Sequence, residues 1–209
     1  IPAVSNGSQI MHMMTVIIVG LAMGTTVTIG HSVGAKCMEQ AEKIIGNTIT
    51  LFMGIAVAFT VILVVLVKPI VVLIATPQEA VAGTSIYLLI CFIGIPFITA
   101  YNIISSIFRG LGDSKSPMYF IGIACVMNIA LDYLFMGAFH MGAAGAALGT
   151  VCAQTFSVLV ALWVIRRRKT GISLKKSDFK IERAVIGQVL KIGIPVALQD
   201  GFIQVAFMI

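Results

Sequence analysis

Apolar residues of this chain occur in long runs that short charged segments interrupt. A helix that crosses a lipid bilayer needs about 20 mostly apolar residues, and the charge-free intervals reach that length. They predict five transmembrane helices, at about residues 9–33, 44–67, 82–108, 117–137 and 142–165. A further helix is expected to begin near Ala184. Because the chain starts without Met and stops at Ile209 inside an apolar run, we expect a fragment that is truncated at both ends.

The composition excludes a water-soluble domain. Hydrophobic residues make up 59% of the 209 residues, charged residues make up 11%, and the mean hydropathy is +1.06. So few charges cannot cover the surface of a soluble domain, and the chain is therefore predicted to be an all-α polytopic membrane protein in contact with the lipid bilayer. The net charge of +6 does not indicate a nucleic-acid partner, because the basic residues lie between the apolar runs.

The basic residues predict the orientation in the membrane. One set of loops holds Lys36 and Lys43, then Arg109 and Lys115, and then the basic cluster of residues 166–183. The opposite set holds Lys68 alone. Because cytoplasmic loops are enriched in Lys and Arg, the first set is predicted to be cytoplasmic, and residues 169–183 are predicted to form a soluble cytoplasmic loop. The expected location is the cell inner (plasma) membrane, crossed several times.

One acidic residue, Asp132, lies within the five predicted spans. A charged side chain at the centre of a bilayer costs about 2.5 to 3.5 kcal/mol on insertion scales, so such a residue is a functional candidate. Asn128 lies one helical turn earlier on the same face, so the carboxylate and the amide can share a cation or a proton. Thr150 and Gln154 repeat this spacing on the next helix, with Ser157 near the same stripe, so these five polar groups are expected to line one cavity between two adjacent helices, with Gln154 as a substrate-cavity residue. The alternative is that Asn128 and Asp132 only form hydrogen bonds to neighbouring helices.

Other polar residues are weaker candidates. Tyr101 and Asn102 lie in the third predicted span, where they are expected to face a substrate cavity, and Asp200 lies next to Gln199 in the last helix. The histidines are dispersed singly, so no metal site is predicted beyond a possible Na⁺ at Asp132. The chain contains no Walker A, G-x-S-x-G or H-E-x-x-H sequence, and it is not expected to be an enzyme.

Glycines predict two structural features. Pairs of glycines four residues apart let helix backbones approach closely, and we interpret them as contacts within one bundle, at Gly20–Gly24, Gly30–Gly34 and Gly145–Gly149. The glycine-rich segment Gly137–Gly145 is predicted to form the tight turn between the fourth and fifth spans.

Several stretches of the chain have a distinctive sequence. The most specific is Phe108–Tyr119, which reads Phe-Arg-Gly-Leu-Gly-Asp-Ser-Lys-Ser-Pro-Met-Tyr, and it is followed by Asn128–Tyr133 and Gly142–Thr150. In order and spacing these stretches resemble the loop after helix four, helix five and helix six of the multidrug and toxic compound extrusion (MATE) transporters. Gly20–Thr26 is similar to the second helix of this family, and Leu190–Pro195 is similar to the start of its seventh helix.

The resemblance implies a fold of twelve helices in two lobes of six. Residues 1–168 would form helices two to six of the amino-terminal lobe, residues 169–183 the loop between the lobes, and residues 184–209 the start of the second lobe. The implied function is a secondary active antiporter that exports lipophilic or cationic drugs or toxic metabolites in exchange for H⁺ or Na⁺. No cofactor other than this coupling ion is implied, and the full-length protein is expected to work as a monomer.

The resemblance also assigns a coupling site. Prokaryotic members bind the cation with an aspartate and an asparagine of helix five, a threonine of helix six and an aspartate of helix one. Asp132, Asn128 and Thr150 match the first three, and the helix-one aspartate would precede Ile1. A sodium-coupled branch carries a glutamate that would fall near Ile203, where this chain has no acid, and the run around Gln199 is similar to the branch of DNA-damage-inducible protein F. H⁺ and Na⁺ therefore both stay open.

Two alternatives to drug antiport are considered. A flippase for lipid-linked precursors, which has a related fold, would need a larger and more cationic cavity. A non-transporting membrane scaffold would place Asp132, Asn128 and Thr150 on separate helix faces.

Overall fold

The computed structural model describes residues 2–73, 81–167 and 176–208, and every regular element in these ranges is helical. The seven α-helices described are α1 Pro2–Gly34, α2 Met38–Val65, α3 Val67–Leu73, α4 Val81–Gly110, α5 Lys115–Asp132, α6 Gly142–Arg167 and α7 Arg183–Met208. A π-helical segment, Tyr133–Ala138, continues α5, and a 3₁₀ turn, Lys176–Phe179, precedes α7.

Five helical segments have the length and composition to cross a membrane: Thr15–Gly34, Met38–Val65, Val81–Gly110, Lys115–Ala138 and Ala144–Arg167. Large apolar side chains on their outer faces are exposed, as Val57, Val61 and Val65 of α2 are by 52, 59 and 73%. Such surfaces suit contact with lipid. The predicted class of an all-α polytopic membrane protein is therefore confirmed.

The observed helix ends differ from the predicted ones where charges lie inside a helix. α2 begins at Met38, whereas the charge pattern predicted a start near residue 44. Its first turns contain Glu39 and Lys43, which are helical although they lie outside the apolar run. A count of charge-free residues locates the apolar part of a span but not its polar first turns, because these lie at the membrane surface, where charge costs little.

α4 lies at the centre of the bundle and contributes to each of three buried apolar clusters. Phe92 packs with α2 and α3. Ile103 packs with α1, α2 and α7. Phe108 packs with α5 and α6, where its ring meets that of Phe120 edge-on with centroids 5.5 Å apart. The other spans are therefore arranged around α4.

Side-chain hydroxyls connect α4 to its neighbours. Thr26 of α1 donates to the carbonyl of Ser106 over 3.2 Å, and Thr60 of α2 donates to the carbonyl of Phe92 over 3.1 Å. Hydrogen bonds between membrane helices contribute about 0.6 kcal/mol on average. Small hydroxyl residues on these spans therefore point into the bundle, and their apolar neighbours face lipid.

α1 and α7 approach each other more closely than side chains would allow. A Cβ atom added at Gly24 would overlap the carbonyl of Val189, and one added at Gly20 would overlap the backbone of Ala197. On the other helix, a Cβ atom at Gly193 would lie 2.7 Å from the carbonyl oxygen of Leu21. The packing role predicted for Gly20–Gly24 is confirmed. A Cβ atom added at Gly34 would meet no atom of another described element within 4 Å, so a close contact there was wrongly predicted.

The loop between α4 and α5 is built by one glycine and one carboxylate. Gly112 has a φ of 86°, which a residue with a side chain rarely adopts. Asp113 then accepts hydrogen bonds from the backbone N–H groups of Lys115 and Ser116, over 3.1 and 3.0 Å, and from the Ser116 hydroxyl over 2.6 Å. A carboxylate in this position satisfies N–H groups that the first turn of a helix leaves free.

The segment before α7 is fastened to α2 by Asn47, a residue only 1% exposed. The Asn47 amide donates to the Asp178 carbonyl over 3.1 Å and accepts from the backbone N–H of Glu182 over 2.6 Å. Thr50 donates to the Phe179 carbonyl over 3.1 Å. We call residues 176–182 the anchored segment. This part of the predicted soluble loop is hydrogen-bonded to α2, and residues 169–175 of that loop lie outside the described ranges.

Replacing Asn47 with Ala is expected to loosen the anchored segment. The change leaves buried backbone groups without partners, at a cost of about 1 to 3 kcal/mol, so trypsin should cleave at Lys180 about tenfold faster or more. The measurement is the cleavage rate of the membrane-embedded protein, with Thr60→Val as the control, because Thr60 bonds to α4 and not to this segment. Equal cleavage rates for Asn47→Ala and wild type would contradict the anchoring role.

The close contact of α1 with α7 predicts that Gly→Ala lowers stability at Gly24, which lies in the contact, but not at Gly54, which lies outside it. Gly24→Ala places a methyl group against the backbone of α7, so it should cost about 1 to 3 kcal/mol and lower the Tm by several degrees. Gly54→Ala adds its methyl group where no atom of another described element lies within 4 Å, and it should keep or raise the Tm because Ala favours helix. Thermal unfolding of the purified variants measures both, and a Gly24→Ala variant as stable as Gly54→Ala would contradict this packing.

Candidate functional site

α5 and α6 form an antiparallel pair that carries most of the predicted site. The turn that joins them is shorter than predicted, because Gly137 belongs to the π-helical segment and Gly145 lies inside α6. His140 and Gly142 have φ values of 52° and 57°, and these left-handed residues reverse the chain. The reversal sets polar residues of the two helices side by side.

An open cleft of about 260 Å³ brings together four of the predicted residues: Tyr101 of α4, Asn128 of α5, and Thr150 and Gln154 of α6. Asn128 Nδ2 donates to Thr150 Oγ1 over 3.4 Å, which is a long hydrogen bond. Thr150 Oγ1 in turn donates to the carbonyl of Ala146 over 3.1 Å. The remaining wall is mostly apolar, formed by Ile121, Ala124, Cys125 and Ala153.

Asp132 lies beside this cleft, one helical turn beyond Asn128 at the end of α5. Its side chain is half-buried, and its Oδ1 atom is directed at the backbone of α6 at Gly149. A Cβ atom at that position would overlap Oδ1. The carboxylate therefore reaches α6, next to Thr150, because residue 149 has no side chain.

Two buried oxygen atoms beside the cleft have no hydrogen-bond partner among the described residues, Asp132 Oδ1 and Gln154 Oε1. Leaving a buried polar atom unpaired costs about 1 to 3 kcal/mol, and native proteins leave few of them. Asp132 Oδ1 and Gln154 Oε1 are hard ligands, as are the amide oxygen of Asn128 and the hydroxyl oxygen of Thr150. They suit a proton or a hard monovalent cation better than a transition metal.

Two predicted residues lie away from the cleft. Asn102 is buried and donates to the carbonyl of Ile98 in its own helix over 2.8 Å, and it is not among the residues that line the cleft. Ser157 is fully buried and donates to the Phe120 carbonyl of α5 over 3.0 Å. Ser157 thus joins two helices, and its predicted place on the cavity wall was wrong.

Two features of the site were missed by the sequence reasoning. The first is Gly149, whose spacing from Gly145 predicted only helix packing, whereas in the structure it makes room for the Asp132 carboxylate. The second is the π-helical segment that starts directly after Asp132. Single π turns inside helices often occur at functional sites, because the widened turn redirects neighbouring side chains. No residue in Tyr133–Ala138 signals this turn.

Comparison with known proteins gives concordant results. The MatE family model matches residues 1–134. The chain is 35% identical over 183 residues to the probable multidrug resistance protein YpnP of Bacillus subtilis, a match that covers 87% of this chain and 40% of YpnP. It is 27% identical over 183 residues to the multidrug export protein MepA of Staphylococcus aureus, covering 87% and 40% of the two chains. The chain therefore spans about two fifths of the length of these relatives.

Solved structures share the fold. An outward-facing structure of a multidrug resistance MATE family transporter superposes with a TM-score of 0.91 at 24% identity, covering 99% of this chain and 46% of that one. An inward-facing structure of such a transporter gives a TM-score of 0.90 at 23% identity, covering 98% and 47%. With five candidate spans and bacterial relatives, the chain is a multi-pass protein of the inner membrane. It belongs to the MatE family of multidrug and toxic compound extrusion transporters.

Proposed function

We propose that the protein of which this chain is part is a secondary active antiporter that exports lipophilic or cationic small molecules in exchange for H⁺ or Na⁺. In this proposal, Asp132 is the carboxylate that binds the coupling ion. The observation that carries it is the buried Oδ1 atom of Asp132, which has no hydrogen-bond partner in the described ranges. An ionised carboxylate so placed in a membrane helix is costly until a cation neutralises it.

The coupling follows from the charge of Asp132. A proton or a sodium ion removes the net charge, so the two charge states of Asp132 prefer different surroundings. If the inward-open and outward-open conformations bind the cation with different affinities, the cation shifts the equilibrium between them. Asn128 and Thr150 stand next to the carboxylate on facing helices, and their bond of 3.4 Å is weak enough to be exchanged for a bond to the ion.

The neighbouring cleft supports a lipophilic cation as the exported molecule. Its described lining is apolar apart from Tyr101, Asn128, Thr150 and Gln154, and it includes no basic side chain. Gln154 presents a buried oxygen, Oε1, that has no hydrogen-bond partner among the described residues. A site of apolar walls with a few polar groups is typical of small-molecule binding.

The same observations bear on the two alternatives. A scaffold predicts that the polar residues scatter, whereas Asn128 and Thr150 lie within hydrogen-bond distance and Asp132 abuts Gly149. A flippase for anionic lipid-linked precursors needs basic residues in its cavity, and the described part of this cleft presents none. Both observations favour antiport of a lipophilic cation.

The Asp132→Asn variant tests the coupling role. The amide keeps the shape of the side chain but cannot change its charge, so we expect ethidium efflux driven by an ion gradient to fall about 5- to 150-fold, the range of common coupling energies. Efflux is measured in proteoliposomes of the full-length protein under a proton gradient and, separately, under a sodium gradient. The matched control is Glu39→Gln, at the polar start of α2. Undiminished efflux in Asp132→Asn would refute the proposed role.

The Gly149→Ala variant tests the geometry without altering the carboxylate. Its methyl group occupies the place of Asp132 Oδ1, so the carboxylate must move away from Thr150 and efflux should fall by a similar factor. Gly122→Ala is the control, because it makes the same change on α5 where no atom of another described helix lies within 4 Å. Efflux per folded molecule, with folding checked by size-exclusion chromatography, should separate the two variants. Equal efflux would contradict the contact.

A further inference from the structure

The outer face of α6 ends in an arginine stacked on a tryptophan. The Cζ atom of Arg167 lies 5.1 Å from the centre of the Trp163 ring, which is a cation–π contact between residues one helical turn apart. Trp163 is 58% exposed, and Arg167 is exposed as well. Within the described ranges, the Arg167 guanidinium makes no hydrogen bond or ion pair. Because a guanidinium carries several N–H donors, the stacked group can still bind a ligand.

This face of α6 points away from the candidate site. Leu159 follows Thr150 by two and a half helical turns, so it lies on the opposite side of α6 from the cleft. Phe156, Leu159 and Trp163 share that side and are 42, 59 and 58% exposed. An apolar stripe that ends in Trp is typical of a helix that leaves the hydrocarbon, because Trp is enriched at the membrane interface. Arg167 lies about 6 Å beyond Trp163 along the axis, which places it among the lipid headgroups.

α5 adds a second pair of a base and an aromatic residue at the same height. Ser157 of α6 donates to the carbonyl of Phe120 over 3.0 Å, and this bond sets the register of the two antiparallel helices. Along the axis, Lys115 lies about 7.5 Å from this bond and Trp163 about 9 Å from it in the same direction, at about 1.5 Å per residue. Lys115 and Tyr119 are one turn apart on α5 and both exposed, Tyr119 by 61%.

The charge of this region is complementary to an anion. Arg166 adjoins Arg167 and is also exposed, so three basic side chains stand where α5 begins and α6 ends. Asp113 is the acid nearest to Lys115 in the sequence, and its carboxylate accepts a hydrogen bond from the backbone N–H of Lys115 over 3.1 Å. Asp132 lies at the opposite end of α5. The bases therefore dominate the local charge.

We propose that the stacked pair of Trp163 and Arg167, together with Lys115, binds the phosphate of an anionic phospholipid. The Arg167 guanidinium donates to the phosphate oxygens, Lys115 supplies a second positive charge, and an acyl chain lies along Leu159. The occupant is a lipid and not a free phosphate, because the exposed apolar stripe continues directly from the bases. The site does not depend on Asp132 or on antiport.

Quenching of Trp163 fluorescence by brominated lipid reports on the site directly. The full-length protein is reconstituted in phosphatidylcholine vesicles that contain either brominated phosphatidylglycerol or brominated phosphatidylcholine at the same bromine content. The Trp163 signal is the difference between each protein and the same protein carrying Trp163→Phe. Because a base near the surface contributes about fivefold to the binding of anionic lipid, phosphatidylglycerol should associate with Trp163 about fivefold more tightly or better than phosphatidylcholine.

Variants at the two bases separate a specific site from diffuse attraction to the membrane surface. Arg167→Gln and Lys115→Gln should each lower the preference for phosphatidylglycerol several-fold, and both residues are exposed, so either variant can test the site if the other does not fold. The control is Lys36→Gln, which removes one exposed charge at the turn between α1 and α2 and should leave the preference unchanged.

Three results would overturn the proposal. The first is an equal loss of preference in Lys36→Gln, which indicates diffuse attraction only. The second is equal quenching by the two lipids in the wild-type protein. The third is a Trp163 that neither lipid quenches, because another part of the full-length protein would then cover this face of α6. Efflux is not part of the readout, so a failure of the antiport proposal leaves the result unaffected.

Discussion

The absence of water inside a bilayer is the constraint on which this structure depends. Backbone groups that cross the membrane must be satisfied within their own helix, and polar side chains must turn toward protein. α4 shows the result, since Thr99, Asn102, Ser105 and Ser106 are all buried. Several described hydroxyl groups donate to a nearby carbonyl, as Thr26, Thr60 and Ser157 do. Thr99 and Ser105 leave a hydroxyl oxygen without a hydrogen-bond partner in the described ranges, as Asp132 leaves its Oδ1. Asp132 differs from them because its carboxyl group can carry a charge, and the functional proposal rests on that difference.

The sequence predicts the class, the five spans and the residues that meet between α5 and α6. Charge-free intervals suffice for the spans because lipid penalises charge strongly. A spacing of four residues suffices to put Asn128 and Asp132 on one face of α5, and Thr150 and Gln154 on one face of α6. The sequence does not predict which hydrogen-bond partner each polar side chain has. Ser157 shares the stripe but bonds to the Phe120 carbonyl, because a helical period fixes the direction of a side chain and not the neighbour that it meets.

Contacts between distant parts of the chain were also beyond the sequence. Asn47 and Asp178 are 131 residues apart, and no local pattern marks either as a partner of the other. The glycines are an intermediate case. Their spacing indicates close packing at Gly24 and Gly149, but only the structure distinguishes a glycine that admits a helix backbone from one that admits a carboxylate. In both places the absence of a side chain is what the neighbouring element requires.

The anchored segment has a further consequence. The side chains of Asn47 and Thr50 bond only to main-chain atoms of this segment. These atoms are the carbonyls of Asp178 and Phe179 and the N–H of Glu182. Residues 179–182 turn their own side chains outward. The position of the segment is thus decoupled from the identity of those side chains. They can be exchanged, or replaced by a spectroscopic label, while the same three bonds keep the start of α7 in register with α2.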